Sequence, residues 1–193
     1  MRYGSERKDE TRTRVVTVAS ERFRKDGVDG VSVARLMSDA GLTHGGFYHH
    51  FRSKGALVDE AVLHAFQTMP ALRALEGRAP RAVELGNFID LYLSSEHRDH
   101  PEHGCVIVAL GPDMARRPRE SREAFAAEAE GVLGRIAAAL PEGIPALDRT
   151  QAATTLLSHL LGVLQLARFL TDQASSDRAL ESGRSSARRL AGL

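Results

Sequence analysis

The stretch SVARLMSDAGLTHGGFYHHFRSK, residues 32–54, decides the reading of this chain, because its spacing predicts two short helices joined by a tight turn. Ser32 is placed to cap the first, with Val33, Leu36 and Met37 at helical spacing on its buried side. Ala40-Gly41-Leu42 supplies the turn, where Gly41 is free to take the positive φ that a helix exit often requires. Thr43 opens the second helix, whose small Gly45 and Gly46 let its backbone approach a partner surface. Phe47, Tyr48, His49, His50 and Phe51 follow as a dense ring-bearing group in a chain only 5% aromatic. Two helices so arranged can lay the second in a major groove, and sequence-specific DNA binding is the leading reading.

Outward from this stretch the chain reads as helix almost throughout. Residues 9–26 place Val15, Ala19 and Phe23 on one face and stop at Gly27, while Val28 and Val31 form a short apolar connector around Gly30. Ser53 caps a further helix with Leu57, Ala61, Val62 and Phe66 inward. Pro70 and the GRAP segment at 77–80 mark a break. Beyond it, helices are expected over 82–95, 105–117, 120–140, 149–171 (capped by Asp148) and 177–190, with a polar loop, SSEHRDHPEHG, at 94–104. The apolar run CVIVAL at 105–110 has the length of a buried strand, but its isolation in a helical chain favours helix.

Composition bounds the function. At 193 residues, 42% hydrophobic and 26% charged, the chain is an ordinary globular one of one large or two small domains. A single cysteine excludes an intrachain disulfide framework and fits a reducing cytoplasm. No long apolar run marks a membrane span, and the charged N-terminus lacks a signal peptide's apolar core. Residues 1–55 carry eleven Lys and Arg against seven Asp and Glu, whereas the rest carries 15 against 18. A basic head on a mildly acidic body suits a protein that holds a polyanion at one end, and it argues against a non-specific, uniformly basic DNA coat.

Ala19, Phe23, Gly27, Val33, Ala34, Ala40, Gly41, Thr43, Gly46, Phe47, Tyr48, Phe51, Lys54, Leu57 and Val58 together closely resemble the N-terminal third of the tetracycline-repressor (TetR/AcrR) family of bacterial transcriptional regulators. His49 and His50 depart from its usual pattern, which bears on the bases read. The resemblance implies an all-α protein: a three-helix DNA-binding head with a helix-turn-helix over 1–55, then a helical bundle over 56–193 for ligand binding and dimerisation.

Roles carried over by the resemblance agree with the chemistry of each side chain. Thr43 at a helix start offers its hydroxyl and backbone N–H to a phosphate. His44, Gly45 and Gly46 lie on the exposed first turn, where base edges and thymine methyls are met, although His44 reads equally as an idle surface residue. Tyr48 and His49 donate to phosphate oxygens, Lys54 adds a point charge, and Ser32 reaches the backbone from the flank. Arg12 and Arg14 are read either as phosphate contacts or as solvated helix charges. Phe47 and Phe51 are read as core, and His50 as packing.

For the body the resemblance implies a pocket for a small hydrophobic effector, with Phe66, Phe88, Tyr92, Val108, Leu110, Met114, Phe125, Leu161 and Gln165 as candidate lining. Plain core is the competing reading for each. His97, His100, His103 and Cys105, with Asp99 and Glu102, are metal-ligand types, but their spacing fits no zinc pattern and they read as a solvated loop. Cys105, at an expected helix start, is either a thiol of lowered pKa that senses oxidants or electrophiles, or a buried inert cysteine. The leucine-rich surface of 156–170 exceeds what a small monomer is expected to bury, so a homodimer through the last two helices is expected, with its reading helices facing a palindromic operator. No catalytic constellation, phosphate loop or paired carboxylates appear, so no enzyme activity and no cofactor are expected. The whole reading is a cytoplasmic DNA-binding regulator, a repressor released by a small molecule.

Overall fold

Helix ends follow from the residues that satisfy the backbone groups a helix leaves open. In the computed structural model, which describes residues 2–77, 79–144 and 146–193 (side chains of 2–7, 146 and 147 aside), the chain is all-α. Its helices are α1 (Arg2–Asp26), α2 (Val33–Asp39), α3 (Lys54–Thr68), α4 (Pro70–Arg73), α5 (Arg81–Tyr92), α6 (Ser95–Asp99), α7 (Val106–Ala115), α8 (Arg119–Ala139), α9 (Ala146–Phe169) and α10 (Gln173–Leu190). Two 3-10 segments, His44–His49 and Pro101–His103, lie between them, and no strand occurs among the described residues.

Gly27 and Gly41, at φ of 76° and 71°, end α1 and α2 in the left-handed region. At Gly41 the turn is a Schellman pair, with Leu42 N–H donating to Met37 O at 2.8 Å and Gly41 N–H to Ser38 O at 2.9 Å. Ser32 Oγ accepts from Arg35 N–H at 3.2 Å and Ser53 Oγ from Ala56 N–H at 3.1 Å, so both expected caps form.

The chain divides into two compact units. One runs to Thr68 and takes in Pro101–Phe125, and the other holds Met69–His100 and Ala126–Leu193. In the first, α1 packs along α3 and against the 101–103 segment, α2 and α7. Val15, Ala19, Phe23, Leu36, Met37, Phe47, Leu57 and Leu110 are its buried core. In the second, α9 and α10 form an antiparallel pair that also carries α5 and α6. Its core is built from Leu85, Phe88, Ile89, Tyr92, Ile136, Leu140, Leu156, Leu160, Leu164 and Leu180. Arg149 donates to Ala137 O, Ala138 O, Leu140 O and Pro141 O, closing the carbonyl end of α8 with a cation where the helix dipole favours one.

Several expectations are corrected. The polar segment 94–104 is helical over α6 and Pro101–His103. Arg98 explains why. Its guanidinium is buried, pairs with Asp99 at 2.7 Å and Asp177 at 2.5 Å, and donates to Ser176 Oγ at 2.9 Å. The hydrogen bonds to Asp99 and Asp177 raise its pKa further, and a buried charge held this way anchors the segment. Asp148 lies within the first turn of α9 and not ahead of it; Asp172, whose carboxylate accepts from Ser175 N–H at 2.8 Å, caps α10, which begins at Gln173, four residues before the expected Asp177. The leucine surface of α9 is also less open than its composition implies. Leu156, Leu157, Leu160 and Leu164 are buried, while Leu166 and Phe169 are 43% and 64% exposed.

Gly183 of α10 sets the α9–α10 spacing, since a Cβ there would lie 2.4 Å from Val163 Cγ1. Gly183→Ala is expected to destabilise by about 1–3 kcal/mol through overpacking. Gly131→Ala on α8, where no atom lies within 4 Å, should instead stabilise by about 0.5–1 kcal/mol through helix propensity. Chemical denaturation of both variants checks the pair, and equal shifts of one sign would contradict it.

Candidate nucleic-acid interface

The 3-10 segment His44–His49 is held to α2 by its apolar side and turns a polar edge outward. Phe47 is fully buried, stacked on Phe51 at 5.6 Å between ring centres and edge-on to Tyr48 at 5.2 Å. Gly46 sits against α2, where a Cβ would approach Met37 Cε at 3.6 Å, while Gly45 faces open space. Thr43 precedes the segment in extended conformation, and its hydroxyl makes no capping bond.

The remaining candidates differ in how far they are open to solvent. Ser32, Thr43, His44, Gly45 and His49 are exposed, Lys54 and Gly46 are half-buried, and the Tyr48 ring is 70% exposed. An aromatic ring left this open beside hydroxyls, imidazoles and an ammonium is poorly explained by packing. It is well placed for a polyanion. Arg52, between the 3-10 segment and α3, is exposed as well; in the sequence its only signal is one more basic residue beside Lys54.

Arg12 belongs to the frame. Its guanidinium lies 4.5 Å over the Phe51 ring, donates to His50 O and pairs with Glu60 of α3. Arg14 is exposed. Burial pulls the His50 imidazole below its ordinary value, helped by the positive charges of Lys8 and Arg12 and by His49. Burial does the same to His64, which faces Thr17 at 3.3 Å, with Arg24 adding to the shift and Glu21 opposing it.

The effector candidates fall in both units. Phe66, Leu110 and Met114 are buried in the first, and Phe66 meets the half-buried Phe125 edge-on at 5.4 Å. Val108 is half-buried there. Phe88 and Tyr92 are buried in the second at 5.5 Å between rings, Leu161 is half-buried, and Gln165 is exposed on α9. Cys105 is 3% exposed at the start of α7, a placement that hinders attack by a reagent and does not favour it as a sensing thiol. Among the described residues no three His, Cys, Asp or Glu side chains converge as metal ligands. Among them, too, no helix is long and apolar enough to cross a membrane.

A short polar-edged segment packed across a capped helix through a Schellman turn, with groups for anionic oxygens around it, defines a helix-turn-helix DNA-binding protein. The family model for bacterial regulatory proteins of the tetR family matches residues 15–61, and that for the tetracyclin repressor-like C-terminal domain matches residues 82–182. The HTH-type transcriptional regulator TtgR of Pseudomonas putida is 27% identical over 185 residues, covering 89% of this chain and 87% of that one. The fold is shared with a TetR regulator from Chloroflexus aurantiacus, at TM-score 0.78 and 22% identity over 95% of both chains. It is shared likewise with reduced NemR of Escherichia coli, at TM-score 0.76 and 21% identity over 93% of this chain and 96% of that one. This chain belongs to the TetR family and is a DNA-binding transcriptional regulator.

The two imidazoles make the stability of the first unit fall with acid. Their protonated forms are disfavoured in the fold, so the unfolded chain takes up the extra protons. The stability present above an imidazole's ordinary value, near 6.5, is therefore lost as pH falls through and below it. The melting temperature is expected to drop between pH 7.5 and 5.5, with a smaller drop in His50→Gln and His64→Gln. A rise over that window would contradict the assignment.

Proposed function

We propose that the protein is a homodimeric repressor that holds a palindromic operator through residues 32–54 and releases it when a small apolar molecule binds its helical body. The observation that carries the DNA-reading part is the outward edge of Thr43–Lys54, with Tyr48 70% exposed above a Phe47 that is wholly buried. In this reading Thr43, Tyr48, His49, Lys54 and Ser32 grip phosphates, while His44, Gly45 and Gly46 meet base edges. The basic balance of residues 1–55 steers the approach to DNA. Action is by binding, without catalysis, in the cytoplasm.

Dimerisation through α9 and α10 is supported by the apolar side chains left open on this pair. They are Leu166 and Phe169 on α9, Leu190 at the end of α10 and Leu193 just beyond it. A two-fold pair would set its half-sites about 34–36 Å apart or at a multiple of that spacing. Release by an effector requires that it bind the DNA-incompetent state more tightly. The domain division carried by this reading is a DNA-binding head over 1–55 and a sensing and dimerisation body over 56–193.

Selection of bound fragments from a random duplex pool is expected to return an inverted repeat, and no enrichment would undo the DNA reading. Against the selected duplex, Tyr48→Ala and Lys54→Ala should each weaken binding to all sequences alike, by about tenfold or ~1.4 kcal/mol. Lys54→Ala should also make the log–log salt dependence shallower by about 0.9. Substitutions at His44 or Gly45 should instead change the preferred sequence.

A further inference from the structure

Two arginines tie α7 to the helices of the DNA-binding unit, one at each end. At its start, Arg24 of α1 is 6% exposed and donates Nη1–H to Gly104 O at 2.9 Å and Nε–H to its own Ser20 O at 3.2 Å. Burial lowers its pKa to about 10, against the opposing pull of Glu21. Just past its end, Arg117 reaches α3, donating Nη2–H to Gly55 O at 2.9 Å and pairing with Asp59 Oδ1 at 2.9 Å. Val106, Leu110 and Met114 are buried between these two ties.

The Arg117 contact differs from an ordinary surface ion pair, which contributes little. The side chain is 22% exposed, its Nε is buried, and it bonds a backbone carbonyl in the first turn of α3. The guanidinium also lies close against Gly55, where a Cβ would be 3.2 Å from Nη2 and 3.3 Å from Nη1. Such a bond fixes the path of the main chain as well as a side chain. Gly55 is the next residue after Lys54, whose ammonium is assigned to the DNA backbone.

We infer that Arg117 is a positioning residue for the DNA grip: it sets the first turn of α3 so that Lys54 meets a phosphate, without touching DNA itself. This rests on the DNA-binding reading above. Its sequence position, 62 residues from Gly55 and 58 from Asp59, puts part of the head's geometry under the control of the 101–125 segment.

The test is a double-mutant cycle in the full chain, titrated against the selected duplex over a series of salt concentrations. Arg117→Met is expected to lose about tenfold in affinity and about 0.9 in salt slope, matching Lys54→Ala. The double variant should bind no more weakly than either single one. Arg117→Lys, which keeps the charge but not the planar fork, should behave like Arg117→Met. A lowered melting temperature with affinity and slope unchanged overturns the inference, as do additive losses in the double variant or full recovery in Arg117→Lys. Should Arg117→Met fail to fold, Asp59→Ala, which removes one anchor at a more exposed position, is expected to show the same slope loss in smaller measure, and an unchanged slope there also overturns it. If Lys54→Ala too leaves affinity and slope intact, the DNA reading itself falls; if Lys54→Ala loses both and Arg117→Met neither, only this inference does.

Discussion

The structure of the edge from His44 to His49 depends on one buried contact, the Phe47 ring seated among Phe51 and the inner side of α2. Leu36, Met37 and Phe47 are fully buried, and Phe51 is 2% exposed. A 3-10 segment of six residues has almost no stability of its own, so packing must hold it. Removing a buried Phe side chain costs roughly 3–5 kcal/mol. That is a large part of the 5–15 kcal/mol by which a domain is typically stable. The same anchoring dictates what faces outward. With Phe47 fixed inward, its neighbours His44, Gly45, Tyr48 and His49 are left on the open edge, so one hydrophobic constraint produces the polar surface.

Around this contact, polar groups fix angles where apolar packing alone would leave them loose. Arg12 bridges α1, the end of the reading segment and α3 in a single side chain, over Phe51 and onto Glu60. Arg22 joins α1 to α2 through Asp39 at 2.8 Å, and Asp39 also takes Arg35 from its own helix at 3.0 Å. Each such pair is individually weak where solvent reaches it. Their value lies in register, because several cross-helix ties must be satisfied at once for the edge to hold one shape.

Much of this was legible in the sequence where the determining residues are neighbours. Ser32, Ser53, Gly27 and Gly41 act within three or four positions of themselves, and the helical spacing of Val15, Ala19, Phe23, Leu36 and Met37 marks buried faces directly. What escaped the sequence depends on distant partners. Arg98 turned an apparent solvated loop into helix by pairing with Asp177, and Arg12 became part of the frame through Glu60. Asp148 and Asp172 are both good cap residues; only the first lies inside a helix, and local composition does not separate them. In the sequence the α9 leucines look like an open surface because the shielding contributed by α5 and α10 has no local trace.

The central claim is that the edge from Thr43 to Lys54, held out by Phe47, is the surface that meets duplex DNA. Amide hydrogen exchange of the full chain, with and without the selected duplex, tests it most directly. The account predicts slowed exchange over 43–54 on adding DNA. Exchange over 43–54 unchanged by saturating duplex, with the slowing confined to other segments, would contradict it.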